Sequence, residues 1–177
     1  TRLAAHLEMA DPAGMTLVTG AGSFRTRCVG EGHMAELNLP DTDVPVETGI
    51  PTMAGEGWVR LGRVGVPHIV VLTDDVGSVD IPNRGRELRF HERAGVGGAN
   101  ANFVSRVSGS TGTDASKLLE ASWAVRTYER GVEGETLACG TGTVTAALAL
   151  AAQGIDQLPL QWLAQPSQRV RPGGGAD

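Results

Sequence analysis

Cys139 and the glycines that follow it are the residues of this sequence best suited to chemistry. Residues 137–143 read LACGTGT, and an alanine- and leucine-rich run with a glycine stop follows them, which predicts a helix that begins near the cysteine. The first N–H groups of a helix have no partner within it, and with the helix dipole they favour a thiolate or a bound carboxylate. Gly140 and Gly142 leave the backbone bare, so an anion can approach the N–H groups of Gly140 and Thr141. A thiol beside an anion site indicates proton transfer on a small carboxylic acid.

The two cysteines of the chain differ in their surroundings. A cysteine near a helix start is more often a small core side chain than a catalyst. The glycines after Cys139, and the charged Glu129 and Arg130 before it, are unusual for such a core position. From the residues alone, both interpretations of Cys139 stay open. Cys28 lies within a predicted strand, without flanking glycines or a following helix, and is predicted to be structural.

Composition and charge narrow the class of protein. The 177 residues carry a formal net charge of −5 with four histidines and two cysteines, which gives no electrostatic reason to expect nucleic acid or an anionic membrane as partner. No apolar run approaches the roughly 20 residues of a membrane span, and no signal peptide is recognised at the start. Two distant cysteines favour a reducing cytoplasm over a disulfide framework, and the histidine and cysteine spacing predicts no metal site.

The elements that must hold these residues are short strands with a few helices. Glycine makes up 25 of 177 residues and aromatic residues only 4%, which is typical of many strands joined by tight turns. Strands are predicted at residues 15–19, 24–29, 34–39, 58–64, 68–72, 100–107, 119–128 and 158–163, and helices at 2–9, 80–91 and 138–153. The last helix is apolar all round and is expected to be enclosed by sheet on most sides. The pattern indicates a mixed α/β fold, with residues 171–177 as a disordered tail.

Three segments of the chain resemble a known family. Residues 126–142, RTYERGVEGETLACGTG, resemble the second-half signature of the diaminopimelate epimerase family. Residues 65–68, GVPH, are similar to its Gly-Asn-Pro-His motif, and residues 98–103, GANANF, to its Asn-Val-Asn-Phe strand. Order and spacing agree from residue 1 to about 154. The resemblance implies an α/β (α+β) lobe in which a mixed, mostly antiparallel sheet wraps around a central helix.

The same resemblance implies a function and a domain organisation. Members of the family are pyridoxal-independent isomerases that interconvert LL- and meso-diaminopimelate for lysine and peptidoglycan precursor synthesis. Two cysteines act on opposite faces of one carbon without a cofactor, in a cytoplasmic homodimer. Residues 1–28 are then the end of a first lobe, residues 29–155 the C-terminal lobe, and residues 156–177 a divergent strand and tail.

The resemblance also assigns roles near the cysteine. It implies that Cys139 is one of the two acid/base thiols and that Gly140 and Thr141 grip the reacting carboxylate. Glu129 and Arg130 would hold the distal ammonium and carboxylate groups or orient the site, with Glu129 counted among the catalytic residues. From the residues alone, a surface ion pair is the favoured interpretation of Glu129 and Arg130.

Two further residues are assigned by the smaller motifs. Asn100 matches a substrate-contacting asparagine, and His68 matches a catalytic histidine near the reacting centre. Without the resemblance, Asn100 would be a strand-end hydrogen-bonding residue and His68 a core histidine. Asn102 receives no role.

The chain departs from the family pattern at three places. Val66 stands where the family has a substrate-contacting asparagine, and valine cannot form that hydrogen bond. Residues 1–2 resemble the segment just after the family's first cysteine motif, which implies that the chain starts after the partner cysteine and is inactive alone. Residues 155–177 match the end of the family poorly.

Three alternative functions remain. One is another isomerase of this architecture, resembling proline racemase or the phenazine-pathway isomerases. A second is a cysteine hydrolase with His68 as the base of Cys139. The third is a non-catalytic lobe that binds ligand or dimerises.

Overall fold

The computed structural model describes residues 1–20, 22–31, 34–107 and 123–156, and the backbone of 162–164. The chain divides into two compact units, Thr1–Thr42 and Asp43–Asp177. The lobe boundary predicted after residue 28 lies inside a hairpin of the first unit, in which Cys28 pairs with Ala35. The assignment of the pieces to two lobes stays a prediction. The predicted tail, residues 171–177, lies outside the described residues.

The first unit is a small antiparallel sheet with one short helix. Helix α1 (Arg2–His6) precedes strands β1 (Met15–Thr19), β2 (Gly22–Val29) and β3 (Met34–Leu37), which pair in the order β1-β2-β3. The helix predicted at 2–9 ends early, and Glu8 takes a positive φ of 55° that does not continue a helix. Cys28 is half-buried in β2.

The second unit is built on one mixed sheet. Its strands are β4 (Val46–Glu47), β5 (Glu56–Val64), β6 (Val66–Thr73), β7 (Asn100–Arg106), β8 (Trp123–Glu129), β9 (Gly134–Thr136) and β10 (Trp162–Ala164). They follow the order β10-β8-β7-β6-β5-β4, and β9 pairs with the other half of β8. The pairs β6–β7 and β8–β10 are parallel and the other pairs are antiparallel. The mixed, mostly antiparallel sheet predicted from the sequence is confirmed.

The helices of this unit differ more from the prediction. The helix predicted at 80–91 is a π-helical turn, Ile81–Gly85, that continues into one α-helical turn, α2 (Arg86–Arg89). Gly85 lets this segment lie on β8, since a Cβ there would be 2.6 Å from the Cβ of Tyr128. The predicted C-terminal helix is α3 (Gly140–Ala152). No helix in the described parts of the chain is long and apolar enough to cross a membrane.

A buried ion pair fixes the π-helical turn to the sheet. Arg84 is 5% exposed and donates two hydrogen bonds to Glu56, of 2.9 and 2.8 Å. It also donates to Glu87 and to the carbonyl oxygen of Pro51, each at 2.9 Å. A bidentate guanidinium–carboxylate contact of this kind fixes geometry as well as charge.

The sheet has a packed layer on each face. The π-helical turn and α2 cover one face through residues such as Ile81 and Leu88, and α3 covers the other through Ala146 and Ala149. The buried positions of α3 are Gly142, Thr145, Ala146, Ala149 and Leu150, which recur at helical spacing on one side. The rest of α3 is partly exposed, so its packing is one-sided rather than the enclosure on most sides expected from its composition.

Candidate active site

Four polar residues share the sheet face that lies under the start of α3. In the parallel pair β6–β7, His68 is opposite Asn100, and in the antiparallel pair β7–β8, Asn102 is opposite Thr127. Asn100 and Asn102 are two residues apart, so they point to the same face of the sheet. All four are buried. The second half of this face is apolar and packs on the rest of α3.

Cys139 is the N-cap residue of α3. Its backbone is extended, with φ −132° and ψ 99°, and its carbonyl accepts the first helical hydrogen bond, from Thr143, at 2.9 Å. The N–H groups of Gly140, Thr141 and Gly142 therefore have no partner within the helix. Cys139 is 8% exposed, and its Sγ lies 3.9 Å from both Asn100 Nδ2 and Thr141 Oγ1. The sulfur thus lies among polar groups, beside a bare helix terminus.

Asn100 connects three parts of the site. Its Oδ1 accepts a hydrogen bond of 2.7 Å from the backbone N–H of Arg130. Its Nδ2 faces both His68 Nδ1, at 3.4 Å, and Cys139 Sγ. Asn100 is the first residue of β7, so it is a strand-end hydrogen-bonding residue and a neighbour of the thiol at once.

His68 is a neutral imidazole at ordinary pH. Its side chain is fully buried, and this burial lowers the pKa of His68 to about 4. The backbone of Val64 raises the pKa of His68, whereas the charge of Arg130 lowers it further. Nδ1 lies within hydrogen-bond distance of the amide nitrogens of Asn100 and Asn102, and Nε2 has no hydrogen-bond partner in the described residues. A cysteine hydrolase would need a ring nitrogen of His68 within hydrogen-bond distance of Cys139 Sγ. Instead, the Asn100 amide contacts both groups.

Glu129 and Arg130 lie at the end of β8 next to this site. Alternation along β8 places Glu129 on the same face as Thr127. Both residues are half-buried, and neither makes an ion pair within the described residues. The described residues therefore do not form the surface ion pair that was considered from the sequence.

The structure brings together most of the residues predicted from the sequence. Asn100 and Thr141 contact Cys139 directly, His68 contacts it through Asn100, and Gly140 follows it in the chain. Glu129 makes no hydrogen bond or ion pair with this group in the described residues. Val66 lies two residues before His68, so an apolar side chain shares the sheet face of His68. In the described residues no three His, Cys, Asp or Glu side chains are grouped to hold a metal ion.

Asn102 and Thr127 were missed from the sequence. Thr127 Oγ1 donates to Asn102 Oδ1 at 3.0 Å, and Asn102 Nδ2 donates to the carbonyl oxygen of Ile69 at 3.2 Å. Gly142 makes this packing possible, since a Cβ there would be 2.1 Å from Asn102 Oδ1. One signal was available: Asn102 follows Asn100 at the spacing of one strand face.

Comparison with known proteins assigns the chain to a family. The sequence model described as diaminopimelate epimerase matches residues 61–161. This chain belongs to the diaminopimelate epimerase family. It is 40% identical over 157 residues to a diaminopimelate epimerase from Gemmatimonas aurantiaca, covering 88% of this chain and 52% of that protein. It is 39% identical over 131 residues to one from Aquifex aeolicus, covering 73% and 43%.

The chain spans about half the length of the curated relatives it matches. Among solved structures, a Bacillus anthracis phenazine biosynthesis protein of the PhzF family matches with a TM-score of 0.51 and 12% identity, covering 84% of this chain and 54% of that one. At that identity the likeness shows a shared fold and carries no statement about chemistry.

Proposed function

We propose that this chain carries one half of a diaminopimelate epimerase active site and that Cys139 is one of its two acid/base thiols. The observation that carries the proposal is the position of Cys139. It is the N-cap residue of α3, with an amide nitrogen of Asn100 at 3.9 Å and the free N–H groups of Gly140 and Thr141 beside it, in a chain of this family.

The reaction needs both a base and an anion site. A thiolate removes the proton from the carbon next to a carboxylate, and a thiol on the opposite face delivers another proton, which inverts the carbon. Negative charge develops on the carboxylate as the proton leaves. The N–H groups of Gly140 and Thr141 stabilise that charge, and a preorganised donor of this kind contributes about 2.7–4 kcal/mol. The proposed reaction uses no cofactor.

Arg130 and Glu129 suit the distal end of the substrate. Diaminopimelate carries an ammonium and a carboxylate group at each end. The half-buried guanidinium of Arg130 and carboxylate of Glu129 have no ion-pair partner in the described residues, so both are available to groups of opposite charge. The buried, neutral His68 would contribute through its Nε2–H rather than as a cation.

The second thiol comes from outside residues 43–177. Of the two cysteines in the chain, only Cys139 lies in that unit, and Cys28 is predicted to be structural. The chain alone is therefore expected to bind weakly and not to invert its substrate. Nuclear magnetic resonance in D2O tests this: stereo-inverting deuterium uptake at the α-carbon of diaminopimelate by the chain alone would contradict the half-site claim.

A chimera tests the function itself. Residues 43–155 replace the matching segment of the Gemmatimonas aurantiaca relative, and epimerisation of LL-diaminopimelate is followed by chiral chromatography. We expect turnover, with a loss of about 10²–10⁴-fold in kcat when Cys139→Ala removes the acid/base group. Thr73→Val, a substitution at the far end of β6, is the matched control and keeps the activity. A folded chimera that turns over proline but not diaminopimelate would favour the racemase alternative instead.

Assembly and location follow from the same proposal. We expect a cytoplasmic homodimer in the complete enzyme, acting on a small molecule without nucleic acid or membrane. The net charge of −5 gives no reason to expect nucleic acid or an anionic membrane as partner, and the two distant cysteines fit a reducing compartment. Light scattering on the chimera measures the oligomeric state.

A further inference from the structure

Two backbone groups determine the orientation of both buried asparagines. The carbonyl of Ile69 can only accept, so the group that faces it at 3.2 Å is the amide nitrogen of Asn102. The backbone N–H of Arg130 can only donate, so the group that faces it at 2.7 Å is the oxygen of Asn100. Reversing the Asn102 amide would place its oxygen against the carbonyl oxygen of Ile69. Reversing the Asn100 amide would place its NH2 group against the N–H of Arg130.

The orientation of the asparagines determines the proton on His68. The amide nitrogens of Asn100 and Asn102 lie 3.4 and 3.3 Å from Nδ1, and both are donors. Nδ1 must therefore be an acceptor, and the proton of the neutral ring is on Nε2. The remaining N–H of Asn100 is then directed at Cys139 Sγ.

Thr127 and Asn102 begin this series of hydrogen bonds and are closed to solvent. Thr127 is 2% exposed and Asn102 is fully buried. The hydroxyl of Thr127 donates to Asn102 Oδ1 at 3.0 Å, which leaves Asn102 both of its N–H groups for Ile69 and His68. Gly142 of α3 lies directly against the same oxygen.

We propose that Asn102 and Thr127 are positioning residues that act on Cys139 through His68 and Asn100. They hold Nδ1 of His68 as an acceptor, which gives the Asn100 amide a second partner besides the Arg130 N–H and so helps to keep its Nδ2 beside the sulfur. The turnover part of this claim rests on the proposed epimerase function. The hydrogen-bond part does not, because it concerns groups that are already in contact without substrate.

The first experiment determines which ring nitrogen of His68 carries the proton, by ¹⁵N nuclear magnetic resonance on the 177-residue chain. We expect an unprotonated Nδ1 and a protonated Nε2 near neutral pH. In Asn102→Asp, an acceptor replaces the donor, so the proton is expected to move to Nδ1. A protonated Nδ1 in the unsubstituted chain overturns the proposal without any variant. An unchanged ring in a folded Asn102→Asp protein overturns it as well.

The second experiment measures alkylation of Cys139 by iodoacetamide, in a Cys28→Ser background. Thr127→Val removes the hydroxyl and Thr127→Ser keeps it while removing the methyl group. We expect the alkylation rate to fall about fivefold in Thr127→Val, which is in the range of one lost hydrogen bond. In Thr127→Ser the rate is expected to stay within about twofold of the unsubstituted value. Thr73→Val, which removes another buried hydroxyl of the same sheet, is expected to leave the rate unchanged. Equal effects of both Thr127 variants would mean that the residue acts only through packing.

Turnover in the chimera separates this inference from the proposed function. We expect Thr127→Val to lower kcat with KM unchanged, and Thr127→Ser to restore it. An inactive chimera would count against the epimerase proposal. The ring tautomer of His68 and the alkylation rates of Cys139 would still test the positioning claim. A lowered KM with unchanged kcat would contradict positioning of the thiol.

Discussion

The fully buried His68 predicts a specific dependence of stability on pH. Its pKa is lowered by burial from an ordinary 6.5 to about 4, so the unfolded chain takes up a proton at higher pH than the folded chain. Stability from the neutral ring is complete above the unfolded pKa and is lost as pH falls toward the folded pKa. One pKa unit corresponds to about 1.4 kcal/mol, so the loss is about 2 kcal/mol near pH 5 and about 3 kcal/mol near pH 4.

Urea unfolding of the chain and of His68→Asn measures this loss. The oxygen of the asparagine can accept from Asn100 and Asn102 as Nδ1 does, but the side chain does not titrate. The difference in unfolding free energy between the two proteins cancels the titration of the other groups. Relative to His68→Asn, the unsubstituted chain is expected to lose about 3 kcal/mol of unfolding free energy between neutral pH and pH 4. Parallel stability curves for the two proteins over this range would refute the account of His68 as a buried neutral ring.

Two further substitutions test the packing around the site and under the sheet. Gly142→Ala places a Cβ against Asn102 Oδ1 and is expected to cost about 1–3 kcal/mol on thermal unfolding, despite better helix propensity. Gly140→Ala meets nothing within 4 Å and is the matched control, expected to be neutral or stabilising. Glu56→Gln leaves the buried Arg84 without its bidentate partner and is expected to cost about 3–5 kcal/mol in urea unfolding. A cost under about 1 kcal/mol would mean that Glu87 and the carbonyl of Pro51 suffice for Arg84.

Local patterns in the sequence predicted the fold class and the thiol site. The glycines after Cys139 and the alanine-rich run indicated the start of α3, and the structure begins the helix one residue after the cysteine. Strand β1 was predicted with the observed bounds. These features depend on short-range propensities, which are present in the sequence itself.

What was missed depends on contacts between distant segments. Strands β4 and β9 have two and three residues, too few to show an alternating pattern. The roles of Asn102 and Thr127 depend on the register between β7 and β8, which tertiary pairing sets. The neutral state of His68 likewise follows from its burial in the fold, where Asn100 and Asn102 of the neighbouring strand lie against the ring.

The pairing of His68 with Asn100 across two parallel strands limits how this lobe can change in length. Because side chains alternate, a one-residue slip of β7 along β6 would turn both asparagines toward the opposite layer of the sheet. The chain between β6 and β7 runs from residue 74 to residue 99, and added residues there need not alter either strand. Within that connection the segment 81–89 packs on the sheet, so insertions are expected to accumulate near the fully exposed Val96, which is also the place for a tag or a reporter domain.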